Sequence, residues 1–529
     1  MDSADTAWVL VCAGLVMFMT PGLALFYGGM VRVRNVLVML MQNFIPLGIV
    51  TLTWIFVGYS LAFSNSGNGF SGALDAIGLA SVEGPRFHTV AAGVTIPTLA
   101  FVTYQMMFAI ITPALITGAT AGRLKIVGWA AFLVLWSILV YPLIARWLWH
   151  PDGWLTDLGA QDWAGGIVVH ASAGAAAIAV LVVIGRRRDW PDMGIRPNNL
   201  PLMLAGTGIL WFGWFGFNAG DGLQANALAA QAVLNTHVAA AAAMIAWLLV
   251  ERLTEGHATI VGAASGAIAG LATITPCAGF VGTGAAVVIG LIAGVVCHTA
   301  IKLKFAFLYD DALDVIAVHF VGGVLGSLLL GFFGDRSVNS AGRDGVLHGG
   351  GSLLWYQVVA LAAVVAFSFV VTWIIATVIE RTIGLRVAPA EEDQMDRLQQ
   401  GSDAYAVTGV AATELTANAD TPPPPQALAS RDGGGRHLVT SLVDSHRAEG
   451  LREALVAAGA ESIVLSEASA YTGVADVQVF RGHRRSVQFH ERLRVEVTVG
   501  DAARAAVLDV LAQFGAGHDA YVLDISSVR

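Results

Sequence analysis

The sequence predicts an all-α polytopic membrane protein of eleven transmembrane helices with inverted five-helix repeats, followed by a cytoplasmic α+β domain of the ferredoxin-like order βαββαβ. Charge distribution, apolar segments and a repeated Asp–His pair carry this prediction. The chain has 529 residues, of which 56% are hydrophobic and 13% charged, whereas soluble proteins carry roughly 25% charged residues. Residues 1–386 contain 35 charged residues, about 9%, and residues 387–529 contain 32, about 22%. The first part therefore has a membrane composition and the second a soluble one.

Eleven apolar segments fill residues 1–386, each close to the ~20 residues that a helix needs to cross a bilayer. Their approximate bounds are 6–31, 38–63, 92–121, 127–147, 163–185, 199–219, 227–250, 258–276, 279–301, 312–333 and 353–379.

Positive charges concentrate in the loops after the odd-numbered segments. Arg32 and Arg34 follow the first segment, Arg123 and Lys125 the third, and a run of three arginines at 186–188 the fifth. Because cytoplasmic loops carry the excess of Lys and Arg, we expect the N-terminus outside and the C-terminal domain in the cytoplasm. The expected location is the cell (cytoplasmic) membrane.

The remaining chain divides into a segment at 387–435 and a folded domain at 436–529. The segment ends in a linker with four prolines at 422–425 and three glycines at 433–435, which favour an extended spacer and a flexible joint. In the domain, periodicity predicts strands and helices in the ferredoxin-like order. The predicted elements are strand 437–443, helix 448–458, strand 462–466, strand 493–499, helix 502–514 and strand 521–525.

An aspartate precedes a histidine by eight residues twice, as Asp162 with His170 and as Asp311 with His319. The histidines fall in segments five and ten, which have opposite orientations, so two inverted five-helix halves would bring them together. An ionisable residue in a membrane span is a functional hypothesis by default. The alternative is that each is a packed structural histidine. We favour this alternative for His237 and His298, because neither has an equivalent histidine in the other half of the bundle.

Aromatic and acidic residues fit the same path. Phe108 and Phe217 are candidate plugs, and Trp149 is expected on the outer loop, where an aromatic face attracts cations. Each aromatic residue taken alone is also compatible with interfacial anchoring or bundle packing. Asp162 either binds a cation or caps a helix, and we favour capping because a helix N-terminus leaves several N–H groups without acceptors. Capping is also expected of the aspartates at 310, 311 and 314.

Two classes of function are not expected. No basic stripe interleaved with aromatics indicates nucleic-acid binding, and the three cysteines lie in apolar runs without metal-site spacing. Neither part has a nucleophile–base arrangement or a metal-ligand cluster, so an enzyme is not expected.

Five motifs closely resemble the ammonium transporter (Amt) family over residues 5–386. They are YQMMFA at 104–109, DWAGGIVVH at 162–170, GWFGFNAG at 213–220, PCAGFV at 276–281 and DDALDVIAVH at 310–319. The resemblance implies a homotrimer in the lipid bilayer with one conduction path per subunit, for ammonium or ammonia and for methylammonium. By its position, the segment at 387–435 resembles the family's short C-terminal regulatory segment, followed by the Pro/Gly linker.

The resemblance also assigns roles. Ammonium would be recruited outside near Trp149 and Phe108, with Asp162 organising the site. It would then pass the stacked gate of Phe108 and Phe217 into a pore lined by His170, His319 and Trp214.

One position departs from the family, which usually has serine after Asn-Ala-Gly where this chain has Asp221. A carboxylate adds an ion pair to the hydrogen bond of a recruited cation, so we expect tighter and slower ammonium handling. Tight occupancy also favours the alternative function, an ammonium sensor that signals through the C-terminal domain with little flux.

The C-terminal domain resembles the P-II nitrogen-signalling family through LREAL at 451–455, FRG at 480–482 and LRVEV at 493–497. The long segment between its second and third strands would be the family's protruding loop. The phosphate-binding loop, at 514–519, lacks lysine, and Gly473 replaces the glutamine that helps bind Mg and 2-oxoglutarate. Ordinary binding of ATP, ADP or 2-oxoglutarate is therefore not expected. The resemblance implies a domain that senses or gates conduction, with a possible cytoplasmic nitrogen-signalling partner; the alternative is a trimeric module that only stabilises the transporter.

Overall fold

The computed structural model describes residues 2–80, 82, 87–88, 96–191, 197–405, 436–444, 450–480, 483–516 and 521–524. The chain forms two compact units, Met1–Tyr405 and Ala406–Arg529. The first unit therefore includes residues 387–405, which the sequence analysis grouped with the linker segment. The prolines at 422–425 and the glycines at 433–435 lie outside the described residues.

The first unit is helical, as predicted. Its helices in chain order are α1 (Ser3–Met30), α2 (Val36–Phe44), α3 (Pro46–Thr53), α4 (Tyr59–Phe63), α5 (Thr98–Ala119), α6 (Ile126–Leu139), α7 (Tyr141–Trp149), α8 (Trp154–Leu158), α9 (Ser172–Ile184), α10 (Leu200–Ala219), α11 (Ala227–Glu255), α12 (Ile260–Ile274), α13 (Thr283–Ala300), α14 (Leu303–Ala306), α15 (Val321–Phe333), α16 (Ser352–Thr382) and α17 (Met395–Gln400). Two short strands, β1 (Phe87–His88) and β2 (Ile96–Pro97), pair antiparallel before α5.

Ten helical segments within the described residues are long and apolar enough to cross a membrane. Several are composite, such as Ile126–Leu158, which includes α6, α7 and α8. The eighth predicted span is shorter than expected, because α12 has 15 residues and turns follow it. The chain is therefore a multi-pass membrane protein.

Glycines let α11, α12 and α13 approach one another closely. A Cβ atom at Gly270 would lie 2.6 Å from the carbonyl oxygen of Ala239, and one at Gly290 would lie 2.3 Å from the same oxygen. Both helices therefore need glycine at these contacts, as is common where membrane helices pack backbone against backbone.

Residues 387–405 are held to the membrane helices by side chains that satisfy helix termini. The Asp396 carboxylate accepts hydrogen bonds from the backbone N–H groups of Leu37, at 3.0 Å, and Val38, at 2.9 Å, in the first turn of α2. The Gln399 side-chain oxygen accepts from the N–H of Ile126 at 2.7 Å, where α6 begins. Each contact supplies an acceptor that a helix N-terminus otherwise lacks.

The second unit contains β3 (Arg436–Asp444), α18 (Leu451–Ala457), β4 (Ser462–Phe480), β5 (His483–Gly500), α19 (Arg504–Leu511) and β6 (Tyr521–Asp524). This is the element order that the sequence predicts, and the antiparallel sheet has the strand order β4-β5-β3-β6. Alternate valines of β3 and β5 form the buried core with Leu451, Leu455, Val507 and Leu511.

The segment expected to be a protruding loop, between residues 466 and 493, is not a loop in the structure. β4 and β5 contain 19 and 18 residues and remain paired out to Phe480 and His483, with a register shift between Tyr471 and Asp476. Gly473 therefore lies within β4, in the stretch where the register shifts. The two strands are held by backbone hydrogen bonds across the hairpin. The mixed polar sequence of this segment has no pattern that predicts a strand.

Candidate functional site

Two aspartates cap two equivalent π-helical turns in the first unit. The Asp162 carboxylate, which is buried, accepts four backbone hydrogen bonds at 2.7–3.1 Å from the N–H groups of residues 165–168. Asp311 accepts two, from Val315 at 3.1 Å and Ile316 at 2.7 Å. Both aspartates act as helix caps, as the sequence analysis favoured. Burial raises the pKa of the Asp162 carboxyl to about 6. Burial also raises the pKa of the Asp311 carboxyl, and the charge of Asp314 adds to that rise. The donated hydrogen bonds oppose the rise at both sites.

The two turns, Gly166–Ala171 and Ile316–Phe320, each carry one histidine. His170 and His319 are buried, and their Nδ1 atoms lie 3.2 Å apart with the rings nearly parallel at 19°. When both rings are neutral, one Nδ1 donates and the other accepts, so the two rings must be opposite tautomers. The repeated Asp–His spacing thus brings together a hydrogen-bonded pair of histidines.

Trp214 stacks on His170 with ring centroids 5.5 Å apart. Its indole N–H donates to the hydroxyl oxygen of Thr275 at 2.9 Å, which fixes the orientation of the ring. Trp214 therefore forms one wall of the histidine pair.

The aromatic residues form a continuous row that leads to the histidines. Phe108 and Phe217 are buried with ring centroids 4.3 Å apart, and Phe217 lies 6.1 Å from the His170 ring. Trp149 lies edge-on to Phe108 at 5.7 Å, and its indole N–H donates to the carbonyl oxygen of Asp162 at 2.9 Å. We expected Trp149 on a loop, but it is the last residue of helix α7.

A small apolar cavity lies beside the histidine pair. Its volume is about 10 Å³, close to the minimum that holds one water molecule. Apart from the two histidines and the indole of Trp214, apolar side chains line it, including Phe26, Val169 and Ile268. A cavity of this size and polarity suits a small neutral molecule better than a hydrated ion.

Asp221 follows α10 and is half-buried. Burial raises the pKa of its carboxyl well above the usual value, and the charge of Asp162 adds to the rise.

The family model described as "Ammonium Transporter Family" matches residues 7–405. This chain belongs to the ammonium transporter family. The chain is 44% identical over 407 residues to an ammonium transporter of Bacillus subtilis, covering 77% of this chain and 99% of that one. It is 43% identical over 392 residues to ammonium transporter Amt1 of Archaeoglobus fulgidus, covering 74% and 96%.

Solved structures of related proteins agree with this membership. Mep2 of Candida albicans is 32% identical with a TM-score of 0.70, covering 78% of this chain and 95% of that one. A structure titled "Sensor Amt Protein" is 30% identical with a TM-score of 0.67, covering 74% and 96%. The resemblance to the Amt family is thus confirmed, whereas the resemblance of the C-terminal domain to P-II proteins stays a prediction.

His237 and His298, which also lie in apolar helices of this ammonium transporter family member, do not belong to the histidine pair. His298 lies 3.4 Å from the Glu255 carboxylate and edge-on to Trp247. His237 contacts the rings of Trp211 and Phe215. Their structural role stays a prediction.

Sequence reasoning missed the ion pairs next to the Asp311 cap. Asp310, expected to be a cap, accepts two hydrogen bonds from the guanidinium of Arg187 and lies 3.3 Å from that of Arg123. Asp314, also expected to be a cap, pairs with Lys304 at 2.5 Å. The partners of Asp310 are more than a hundred residues away in the chain, so no local pattern predicts the pairs. The only sequence indication is the excess of basic residues in the loops on the same side of the membrane.

Proposed function

We propose that this protein transports ammonium by recruiting NH4+ on the outer side, deprotonating it and passing NH3 through the pore that His170 and His319 line, while the two histidines relay the proton. The observation that carries this proposal is the unbroken row of Trp149, Phe108 and Phe217 leading to His170 and His319.

Trp149 contacts the ring of Phe108 and donates to the backbone of Asp162, and we assign ammonium recruitment to these three residues together with Asp221. A cation gains roughly 0.5–2 kcal/mol from an aromatic face, depending on desolvation. The carboxylate of Asp162 already accepts four N–H groups, so it organises the site and leaves direct attraction to Asp221.

Selectivity follows from desolvation. An alkali cation cannot shed its charge, so it meets the full cost of entering a narrow apolar path. Ammonium can leave its proton behind and cross as ammonia. The proton moves from ammonium to one imidazole, across the 3.2 Å contact between the Nδ1 atoms, and rejoins ammonia on the other side, so transport is electrogenic.

The finer architecture completes the proposal. The protein acts as a homotrimer in the cytoplasmic membrane, with its N-terminus outside and its C-terminal domain in the cytoplasm, and it also carries methylammonium. The C-terminal domain regulates conduction in the manner of a P-II protein. Its fusion to the transporter raises its effective concentration to about the millimolar range if the linker is short and flexible.

The second candidate function is an ammonium sensor with little flux. The carboxylate of Asp221 favours it through tighter occupancy, and the solved structure of a "Sensor Amt Protein" resembles this chain.

Current measurements on solid-supported membranes separate the two functions. The full-length protein in proteoliposomes receives pulses of ammonium, methylammonium and potassium. A transporter gives a sustained current with ammonium, a smaller one with methylammonium and none with potassium. A brief binding signal independent of the lipid-to-protein ratio would contradict transport and support the sensor.

A further inference from the structure

An apolar groove in the first unit lies between the end of α9 and the turn that follows α14. Its volume is about 370 Å³. The apolar residues that line it are Ile178, Leu181, Val182, Phe307, Leu308 and Ile316. The polar residues that line it are Arg186, Tyr309 and Asp310, none of which belongs to the histidine path.

The groove runs from the membrane interior to the membrane surface. Ile178, Leu181 and Val182 lie on successive turns of α9, which ends at Ile184. At about 1.5 Å per residue, Ile178 lies roughly 9 Å deeper than the end of the helix. Arg186, two residues beyond that end, therefore lies at the depth of lipid headgroups.

A strained turn presents the opposite wall. Leu308 has φ 55°, a left-handed conformation that leucine avoids and that glycine normally adopts after a helix. The Tyr309 N–H donates to the carbonyl oxygen of Lys304 at 3.0 Å and closes the turn. The side chains of Phe307 and Leu308 are exposed by 73% and 51%. The strained conformation holds the Leu308 side chain at the groove, and such strain is common at binding sites.

The charge at the surface end is positive. The carboxylate of Asp310 is fully buried and is held by Arg187 and Arg123, so it is already neutralised. The guanidinium of Arg186 lies over the Trp190 ring, 5.1 Å from its centroid, and contacts no carboxylate among residues that the structure describes. Arg186 is thus oriented by stacking and keeps its N–H groups for an anion.

We propose that this groove binds an anionic phospholipid, with one acyl chain along Val182 and Leu308 and the phosphate on Arg186. Since a water molecule takes up about 30 Å³, the groove holds roughly a dozen groups of that size, enough for much of one chain. A lipid satisfies both ends of the groove, because it offers hydrocarbon to the apolar walls and a phosphate to the arginine. This site is independent of the proposed transport function.

Thermal unfolding of the purified full-length protein in detergent tests the site. The unfolding midpoint is recorded against increasing phosphatidylglycerol or phosphatidylcholine with identical acyl chains, and inorganic phosphate serves as the headgroup control. The variants are Arg186→Gln and Leu308→Gly. The matched control is Arg343→Gln, which removes another exposed arginine that lies over an aromatic ring, that of Tyr356.

We expect Arg186→Gln to weaken the apparent affinity for phosphatidylglycerol about five-fold and to leave phosphatidylcholine unchanged. Arg343→Gln should change neither. Leu308→Gly relieves the strained φ, so the protein should fold normally but bind both lipids more weakly.

Three results would overturn the proposal. The first is an unchanged preference for phosphatidylglycerol in Arg186→Gln. The second is an equal effect of inorganic phosphate, which would indicate a free anion as the ligand. The third is a change of oligomeric state in Leu308→Gly with lipid binding intact, which would place a second copy of the chain in the groove.

Discussion

Gly323→Ala should displace His170 and thereby reduce transport. A Cβ atom at position 323 would lie 2.5 Å from the carbonyl oxygen of Gly166, 2.8 Å from the Cβ of His170 and 2.9 Å from the backbone nitrogen of Ala171. Two of these atoms are backbone, so no side chain can rotate away. Restoring a contact of about 3.5 Å requires a shift of roughly 1 Å between α15 and the turn that carries His170.

The expected cost of this overpacking is about 1–3 kcal/mol of stability. A shift of 1 Å also exceeds what the contact between the histidine Nδ1 atoms, at 3.2 Å, can tolerate, because a hydrogen bond is lost near 3.6 Å. We therefore expect the ammonium current to fall at least ten-fold and the unfolding midpoint to drop.

Gly48→Ala is the matched control. Position 48 lies in α3, and a Cβ atom there would meet nothing within 4 Å. Alanine should stabilise the helix by about 0.5–1 kcal/mol and leave the current unchanged. A Gly323→Ala protein with wild-type current and midpoint would refute the reasoning.

Three further predictions concern the outer site and the C-terminal domain. Asp221→Ser should weaken the apparent affinity for ammonium about ten-fold, since a charge-assisted hydrogen bond exceeds a neutral one by roughly 1–1.5 kcal/mol; an unchanged half-saturation of the current would contradict this. The pKa of Asp162, raised to about 6, means that its carboxyl takes up a proton as outer pH falls through 6 rather than 4. Protonation weakens the hydrogen bonds that this carboxylate accepts from residues 165–168, so apparent affinity should decline when outer pH drops from 7.5 to 5, and a flat profile would contradict the organising role of Asp162. Deleting residues 427–529 should change either the current or a downstream nitrogen response, and the regulatory role fails if neither changes.

The histidine pair could be predicted because its signal is local. Asp162 with His170 and Asp311 with His319 share a spacing, and each lies in an apolar segment, so the sequence indicates both the cap and the buried imidazole. The direct contact between the two rings depends on how the two turns pack, which no local pattern encodes.

Other features required tertiary information. The predicted fourth segment ends at residue 147, which puts Trp149 on the loop beyond it, whereas α7 extends to Trp149. The helix continues there since the Arg146 guanidinium is buried and donates to the carbonyl oxygens of Ser64 and Asn68. The pair of Asp310 with Arg187 spans 123 residues, beyond the reach of any periodicity.

In the C-terminal domain, too, some elements could be predicted from a local sequence pattern and others could not. Alternation of apolar residues over 493–499 predicts a buried strand, and the valines of β5 are buried. The sequence of the outer part of the β4–β5 hairpin has no such alternation, and its strands are defined by backbone pairing.

The most direct test of the central claim is the ammonium current of a His170→Ala/His319→Ala double variant in proteoliposomes. His237→Ala, which alters another span histidine, is the control. A proton relay through the pair predicts that the double variant loses the electrogenic current while the control keeps it. A double variant with wild-type ammonium current would contradict the relay.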